Sequence, residues 1–171
     1  EKAAGKKIAV LDFDKAQAQI VQKLGAQPVA SDITNFAGKF NNGQVDIIAA
    51  PAIVYRPLEL YRGLADKGGI FRFPLLQVTA AVIIRRDKFK DIPGFDDAMI
   101  KMREYAAGRL DMIEKIILKG EADIPAKYWM DLSTADKDKY TAMMRDARIS
   151  MTKEGYYDPK MMSLLKKIRC K

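Results

Sequence analysis

The first half of the chain alternates short apolar runs with amphipathic segments. Residues 8–13 (IAVLDF) and 45–50 (VDIIAA) are nearly continuous apolar runs, typical of strands buried on both faces of a parallel sheet. Residues 28–30 predict a shorter strand. Residues 14–24 and 33–40 have helical apolar spacing, with Asp14 as the cap of the first helix and Ser31 or Asp32 as the cap of the second. This order predicts right-handed βα units in an α/β fold with a parallel or mixed sheet.

The apolar spacing becomes helical after Pro93. Before that point, residues 58–64 predict a helix, and residues 70–85 predict two strands or one bent strand, since Pro74 interrupts a β-rich segment. From Phe95 onward the pattern predicts only helices, with an apolar stripe from Met99 to Ile117 that ends before Gly120. We therefore predict an α/β lobe at residues 1–92 and a helical segment at residues 93–171.

Two later helices have recognisable starts. Ser133 with Asp136 resembles a capping box, and the helix that follows is expected to end at Gly155. Asp158-Pro159 predicts the start of the last helix, because proline is favoured at the first helical position.

Charge and composition favour binding over catalysis. The 30 Lys and Arg against 22 Asp and Glu give a net charge of +8, but acidic residues are interleaved and no nucleic-acid-binding motif is present, so we predict no nucleic-acid partner. No apolar run is long enough to cross a bilayer. Histidine is absent, which removes the commonest general base and zinc ligand. We expect a binding protein that is not an enzyme and holds no metal or other cofactor.

Candidate ligand-binding residues follow from position. In a parallel α/β sheet, ligands bind beyond the carboxyl ends of the strands. We expect Asp12 to act as an acceptor, Phe13 and Tyr55 as apolar or stacking walls, and Ser31 with Asn35 as neutral hydrogen-bonding groups. Ala50 and Pro51, at the end of the third predicted strand, complete the expected crevice around a small polar solute.

A phosphotransferase is the enzymatic alternative. Asp12-Phe13-Asp14 follows an apolar strand, where phosphotransferases of the haloacid dehalogenase type place a nucleophilic aspartate and a proton-transferring aspartate around Mg²⁺. The later acidic pair of such a site would have to be Asp96-Asp97, which is explained equally well by its place at a helix start.

The first half also resembles the second lobe of TRAP-transporter (DctP-like) periplasmic solute-binding proteins. That family tends to read GxKIR, LGA-x-PV and G-x-VDG-x-ENP in this order. The matching pieces here are Gly5-Lys6-Lys7-Ile8, Leu24-Gly25-Ala26-Gln27-Pro28-Val29, Gly43-Gln44-Val45-Asp46 and Pro51. The segments EKAAGKKIAVLDFDKAQ and FNNGQVDIIAAP are similar to an AdeT-like subgroup often labelled as RND efflux or aminoglycoside-resistance components.

The resemblance implies a periplasmic protein that closes around a solute and delivers it to an inner-membrane transporter or pump, with a role as an RND efflux accessory linked to aminoglycoside resistance as the alternative. It also implies a preceding first lobe, with a cysteine there as the disulfide partner of Cys170. Two departures from the pattern matter. Ala9 stands where the family has the arginine that clamps a carboxylate, and Ala49-Ala50-Pro51 replaces ENP, so the usual carboxylate ligand is not expected.

Overall fold

The computed structural model describes residues 3–73, 83–89 and 91–169, and begins with the predicted βα unit. Strand β1 (Lys7–Leu11) leads into helix α1 (Lys15–Lys23) and strand β2 (Gln27–Ser31). The strands pair in parallel from Lys7 opposite Gln27 to Leu11 opposite Ser31. The backbone N–H of Gln17 donates to the Asp14 carboxylate at 2.9 Å, which confirms Asp14 as the cap. Gly25 follows α1 with φ of +72°, a conformation that glycine adopts without strain.

The third predicted strand is largely absent. After helix α2 (Phe36–Asn41), the chain meets β1 through a single parallel bridge between Ile8 and Ile47. The Lys7 carbonyl accepts from both Asp46 and Ile47, and the Asp46 carboxylate accepts from the Lys7 N–H. These irregular bonds replace a regular ladder, so the strand prediction for residues 45–50 was wrong in extent.

The middle of the chain is mostly turns. A 3-10 turn (Ala52–Val54) precedes the four-residue helix α3 (Tyr61–Leu64), which forms only the second part of the helix predicted at residues 58–64. Strand β3 (Ile70–Phe71) confirms only the start of the predicted β segment, and residues 83–85 have no regular structure. The remainder of that prediction, residues 74–82, lies outside the described residues.

The second half contains helices α4 (Phe95–Ala107), α5 (Leu110–Ala122), α6 (Thr134–Lys153) and α7 (Pro159–Arg169). It is not entirely helical, because strand β4 (Trp129–Met130) pairs in parallel with β3. The predicted starts of α6 and α7 are confirmed: the backbone N–H of Asp136 donates to the Ser133 hydroxyl, and that of Met161 donates to the Asp158 carboxylate.

Two separate apolar clusters form the core. Val10, Val21 and Ala26 join β1 to α1, while Tyr55, Leu60, Leu64, Ile124 and Tyr128 pack the turn-rich middle against the segment after α5. By contrast, α4 and α5 bury no side chain, and several of their large apolar residues are about half exposed: Ile100, Tyr105, Leu110, Met112, Ile113, Ile116 and Leu118. The predicted apolar side chains are therefore present on these two helices, but they are not buried by other residues that the structure describes.

Contacts cross the predicted boundary at residue 92. The Lys23 ammonium donates to Ser150 of α6 and to Glu154, which follows the helix, and the Gln19 amide donates to the Tyr156 hydroxyl. The division into 1–92 and 93–171 stays a prediction. The fold is mixed α/β with small parallel sheets, which confirms the predicted fold class. That these elements form a periplasmic-binding-protein lobe remains an expectation. Within the described ranges, no helix combines the length and apolarity needed to cross a membrane.

Candidate functional site

A cavity of about 170 Å³ lies at the carboxyl ends of β1 and β2, where the strand-end rule predicts a site. Its walls are mostly apolar. They come from β1, from the loop and first residue of α2, and from the segment after the Ile8–Ile47 bridge, and comprise Ala9, Val10, Leu11, Ile33, Phe36, Ile48 and Ala49. Gln17 and Ser31 add the polar atoms. In the part of the chain that the structure describes, no charged side chain lines this cavity.

The two polar side chains are held by the strand ends. The Leu11 N–H donates to Oε1 of Gln17 at 2.7 Å, so the first turn of α1 places the Gln17 amide over the end of β1. Ser31 is 3% exposed, and its hydroxyl donates to the Val29 carbonyl at 3.1 Å. Because Leu11 and Ser31 are opposite each other in the parallel register, both polar groups lie at one edge of the sheet.

Two charged side chains, Asp32 in the loop after β2 and Lys39 in α2, lie beside the cavity without lining it. The Lys39 ammonium donates to the Ala30 carbonyl and, at 3.4 Å, to the Ser31 hydroxyl oxygen. Asp32 accepts from the Thr34 hydroxyl and from the backbone N–H groups of Thr34 and Asn35. The hydrogen bond from the Thr34 hydroxyl, aided by those backbone bonds and by the charge of Lys39, lowers the pKa of the Asp32 carboxyl.

The predicted ligand-binding residues are only partly brought together. Ser31 lines the cavity, and Asp12 is adjacent because its N–H donates to the Ser31 carbonyl at 2.9 Å. Asp12 is exposed in the turn before α1, and Phe13 there is 70% exposed. Asn35 binds Asp32 with both ends of its side-chain amide, which commits that amide to the loop.

The other predicted positions lie further away. Ala50 and Pro51 are exposed and follow Ala49, the last residue of the cavity wall along the chain. Tyr55 is 3% exposed and belongs to the second apolar cluster, where its ring lies 6.5 Å from that of Tyr128. Cys170 lies outside the described residues.

Three of the four aspartates of the phosphotransferase alternative lie at the start of a helix. The Asp14 carboxylate caps α1, and Asp96 and Asp97 lie in the first turn of α4. Among the described residues, no group of three or more acidic or cysteine side chains could hold a metal ion.

Of the nine lining residues, sequence reasoning identified Ser31 and missed the other eight: Ala9, Val10, Leu11, Gln17, Ile33, Phe36, Ile48 and Ala49. The strand-end rule selects residues that follow a strand, whereas Gln17 reaches back from the helix beyond the turn. A signal was available: a glutamine at the third position of a helix can accept from a backbone N–H that precedes the helix, as in a capping box.

A larger depression of about 500 Å³ lies between the Arg86–Lys88 turn and the start of α4. It is lined by Arg86, Phe89, Asp96 and Asp97 among others, most of them exposed. It lies away from the paired strands, so the strand-end cavity is the better candidate.

Comparison with known proteins assigns the chain to a family. The family model described as "Solute-binding protein AdeT 1/2" matches residues 1–171. The chain belongs to this AdeT 1/2 family. It is 51% identical over 170 residues to the "Probable solute-binding protein AdeT1" of Acinetobacter baumannii, and 28% identical over 166 residues to the "Probable solute-binding protein AdeT2" of the same organism.

The match covers nearly all of this chain but only part of each AdeT relative. It includes 99% of this chain and 54% of AdeT1, and 97% of this chain and 68% of AdeT2. The chain therefore spans about half the length of AdeT1. No solved structure is significantly similar to it. The AdeT membership supports the AdeT-like part of the resemblance, and the names of both relatives mention a solute but neither a transporter nor a pump.

Proposed function

We propose that this chain supplies one wall of the solute site in a periplasmic binding protein of the TRAP-transporter type, and that it binds its solute without making or breaking a bond. The observation that carries the proposal is the cavity at the carboxyl ends of β1 and β2 in a chain of the AdeT 1/2 family. An apolar concavity with a few oriented polar groups is the usual form of a small-molecule site.

The cavity volume indicates that the wall is not the whole site. Ligand pockets commonly enclose about 300–1,000 Å³, whereas this cavity holds about 170 Å³ and is open on one side. AdeT1 has nearly half of its length outside the match with this chain. We propose that further protein closes over the cavity when solute binds, as hinged two-lobed binding proteins do.

The periplasmic location and the delivery of solute to an inner-membrane transporter are parts of the same proposal. They are supported by the resemblance of the first half to TRAP-type proteins, which runs through β1, β2 and the segment up to Pro51. Pull-down of inner-membrane extracts on the immobilised chain, followed by mass spectrometry, tests the partner. Recovery of an RND pump subunit in place of a TRAP-type permease would contradict this part.

The binding proposal is tested by a thermal-shift screen against carboxylates, carboxamides, amines, sugars and aminoglycosides. A solute present at about 100 times its Kd should stabilise the folded state by about 2.7 kcal/mol, because only the folded state has the cavity. A flat response across all classes would contradict the proposal.

A cavity-filling variant shows whether binding occurs at this site. Ala49 lines the cavity from an exposed loop position, so Ala49→Phe should fill the cavity without disturbing a packed core. Any solute found in the screen should lose its stabilising effect on Ala49→Phe. Ala106→Phe, on the exposed surface of α4, is the matched control and should retain it.

A further inference from the structure

We propose that the cavity selects an uncharged solute with a small apolar body and a carboxamide-like polar group, and that Gln17 and Ser31 bind that polar group. This inference rests on the proposed solute-binding function and names the chemical class of the solute.

The walls disfavour a charged ligand. Seven of the nine lining residues are apolar, and neither of the other two is charged. Moving a carboxylate or an ammonium from water into such a wall is unfavourable unless an opposite charge meets it. An uncharged solute avoids that cost, and apolar burial contributes to its binding.

Gln17 offers donors in a fixed direction. Its Oε1 accepts from the Leu11 N–H at 2.7 Å, which identifies the other end of the amide as the nitrogen. No acceptor among the described residues pairs with that Nε2, and no buried side-chain nitrogen or oxygen there lacks a partner. Nε2 therefore faces accessible space, where it can donate to a solute carbonyl.

Ser31 offers the complementary acceptor. Its hydroxyl hydrogen is directed at the Val29 carbonyl, and its oxygen accepts from the Lys39 ammonium at 3.4 Å, so one lone pair is left for a donor from the solute. Leu11 and Ser31 are opposite each other on neighbouring strands, and Gln17 and Ser31 line the same cavity, so we expect one small polar group to reach both side chains. A primary carboxamide carries the acceptor and the donor that this pair requires.

Lys39 is the one charged group beside Ser31 whose position would favour an anionic ligand among the described residues. Its ammonium already donates to the Ala30 carbonyl and to the Ser31 hydroxyl oxygen, and its charge is opposed by the nearby Asp32 carboxylate, whose pKa it helps to lower. The ammonium does not line the cavity. It is thus placed to hold the β2 end and the α2 helix together.

The test compares isovaleramide with isovalerate, which share a branched apolar body and differ in charge. Isothermal titration with the 171-residue chain should show binding of the amide at least tenfold tighter than that of the acid at neutral pH. Gln17→Glu keeps the acceptor for the Leu11 N–H and replaces the amide donors, so it should weaken isovaleramide binding about ten- to hundredfold. Gln22→Glu, an identical change at an exposed position of the same helix, should leave binding unaltered.

The outcomes separate the two proposals. Tighter binding of isovalerate, sensitive to Ala49→Phe, would overturn the neutral-solute inference and leave the solute-binding function standing. The same holds if neither compound binds while a charged solute or an aminoglycoside from the thermal-shift screen binds in an Ala49-dependent manner. Equal loss of isovaleramide binding in Gln17→Glu and Gln22→Glu would also overturn the role of Gln17. Failure of every compound in both experiments would overturn both proposals.

Discussion

Gly120→Ala is expected to destabilise the protein even though alanine is the better helix former. Gly120 lies inside α5, where alanine is favoured over glycine by about 1 kcal/mol in an open helix. In this structure, however, a Cβ at Gly120 would lie 2.7 Å from Cα of Ile53 and 2.9 Å from its Cγ2. The first of these atoms is backbone, so no rotamer change relieves the contact. Forcing extra atoms into a packed contact costs about 1–3 kcal/mol, so after the gain in helix propensity we expect a net loss of up to about 2 kcal/mol.

Urea unfolding followed by circular dichroism measures this difference, with Gly38→Ala as the matched control. Gly38 is also helical, in α2, but a Cβ there meets nothing within 4 Å. Gly38→Ala should therefore stabilise the protein by about 0.5–1 kcal/mol. If Gly120→Ala also stabilised it, α5 would not pack on the Ala52–Val54 turn as described.

Three further substitutions test the packing and the titrating groups. Met151→Ala should cost about 2–5 kcal/mol in urea unfolding, because the Met151 side chain has no exposed surface and its truncation leaves a cavity; a loss below 1 kcal/mol would contradict this. Burial raises the pKa of the Tyr55 phenol above its ordinary value near 10. The buried neutral phenol therefore contributes its full stability below pH 10, and the free energy of unfolding should fall as the pH rises above that value. Tyr55→Phe should remove part of this alkaline loss, whereas Tyr105→Phe, at an exposed ring, should leave it as in the parent chain. Hydrogen bonds from Ser150 and Lys23 lower the pKa of Glu154. The ionised carboxylate therefore makes a small contribution to folding stability at neutral pH, which is lost as the pH falls. Glu154→Gln should reduce the acid-side slope of a thermal-melting series, and an unchanged slope would contradict the α1–α6 bridge.

Local signals in the sequence predicted the local structure well. Asp14, Ser133 and Asp158 each cap the helix that they were expected to cap, because a cap depends on one side chain and the N–H two or three residues later. Two of the three strand predictions at the start of the chain were correct for the same reason: a short apolar run beside a capped helix forms a βα unit.

Predictions that depend on distant contacts were less successful. Gly120 was interpreted as the end of a helix, but it lies within α5, where the approach of Ile53 requires the absence of a side chain. Residues 45–50 have the composition of a buried strand, but bonds from both Asp46 and Ile47 to one carbonyl of Lys7 limit the pairing to a bridge. Neither contact can be inferred from spacing within one segment.

The candidate site shows the same division. Ser31 was identified from its place at the end of a predicted strand, and it lines the cavity. Gln17 was missed because its role depends on the Leu11 N–H, an atom left open only where β1 ends in this structure. Tyr55 follows Pro51 closely in sequence, but the chain turns away at residues 52–54 and carries its ring into the second apolar cluster.

The most direct test of the solute-binding account is a titration of the isotope-labelled chain with a solute from the thermal-shift screen, followed by amide and side-chain chemical shifts. We expect the perturbed signals to cluster at residues 9–11, at Ser31, at Ile48 and Ala49, and at the side-chain amide of Gln17. Shifts confined to the depression between Arg86 and Asp97, with none at the ends of β1 and β2, would contradict the account.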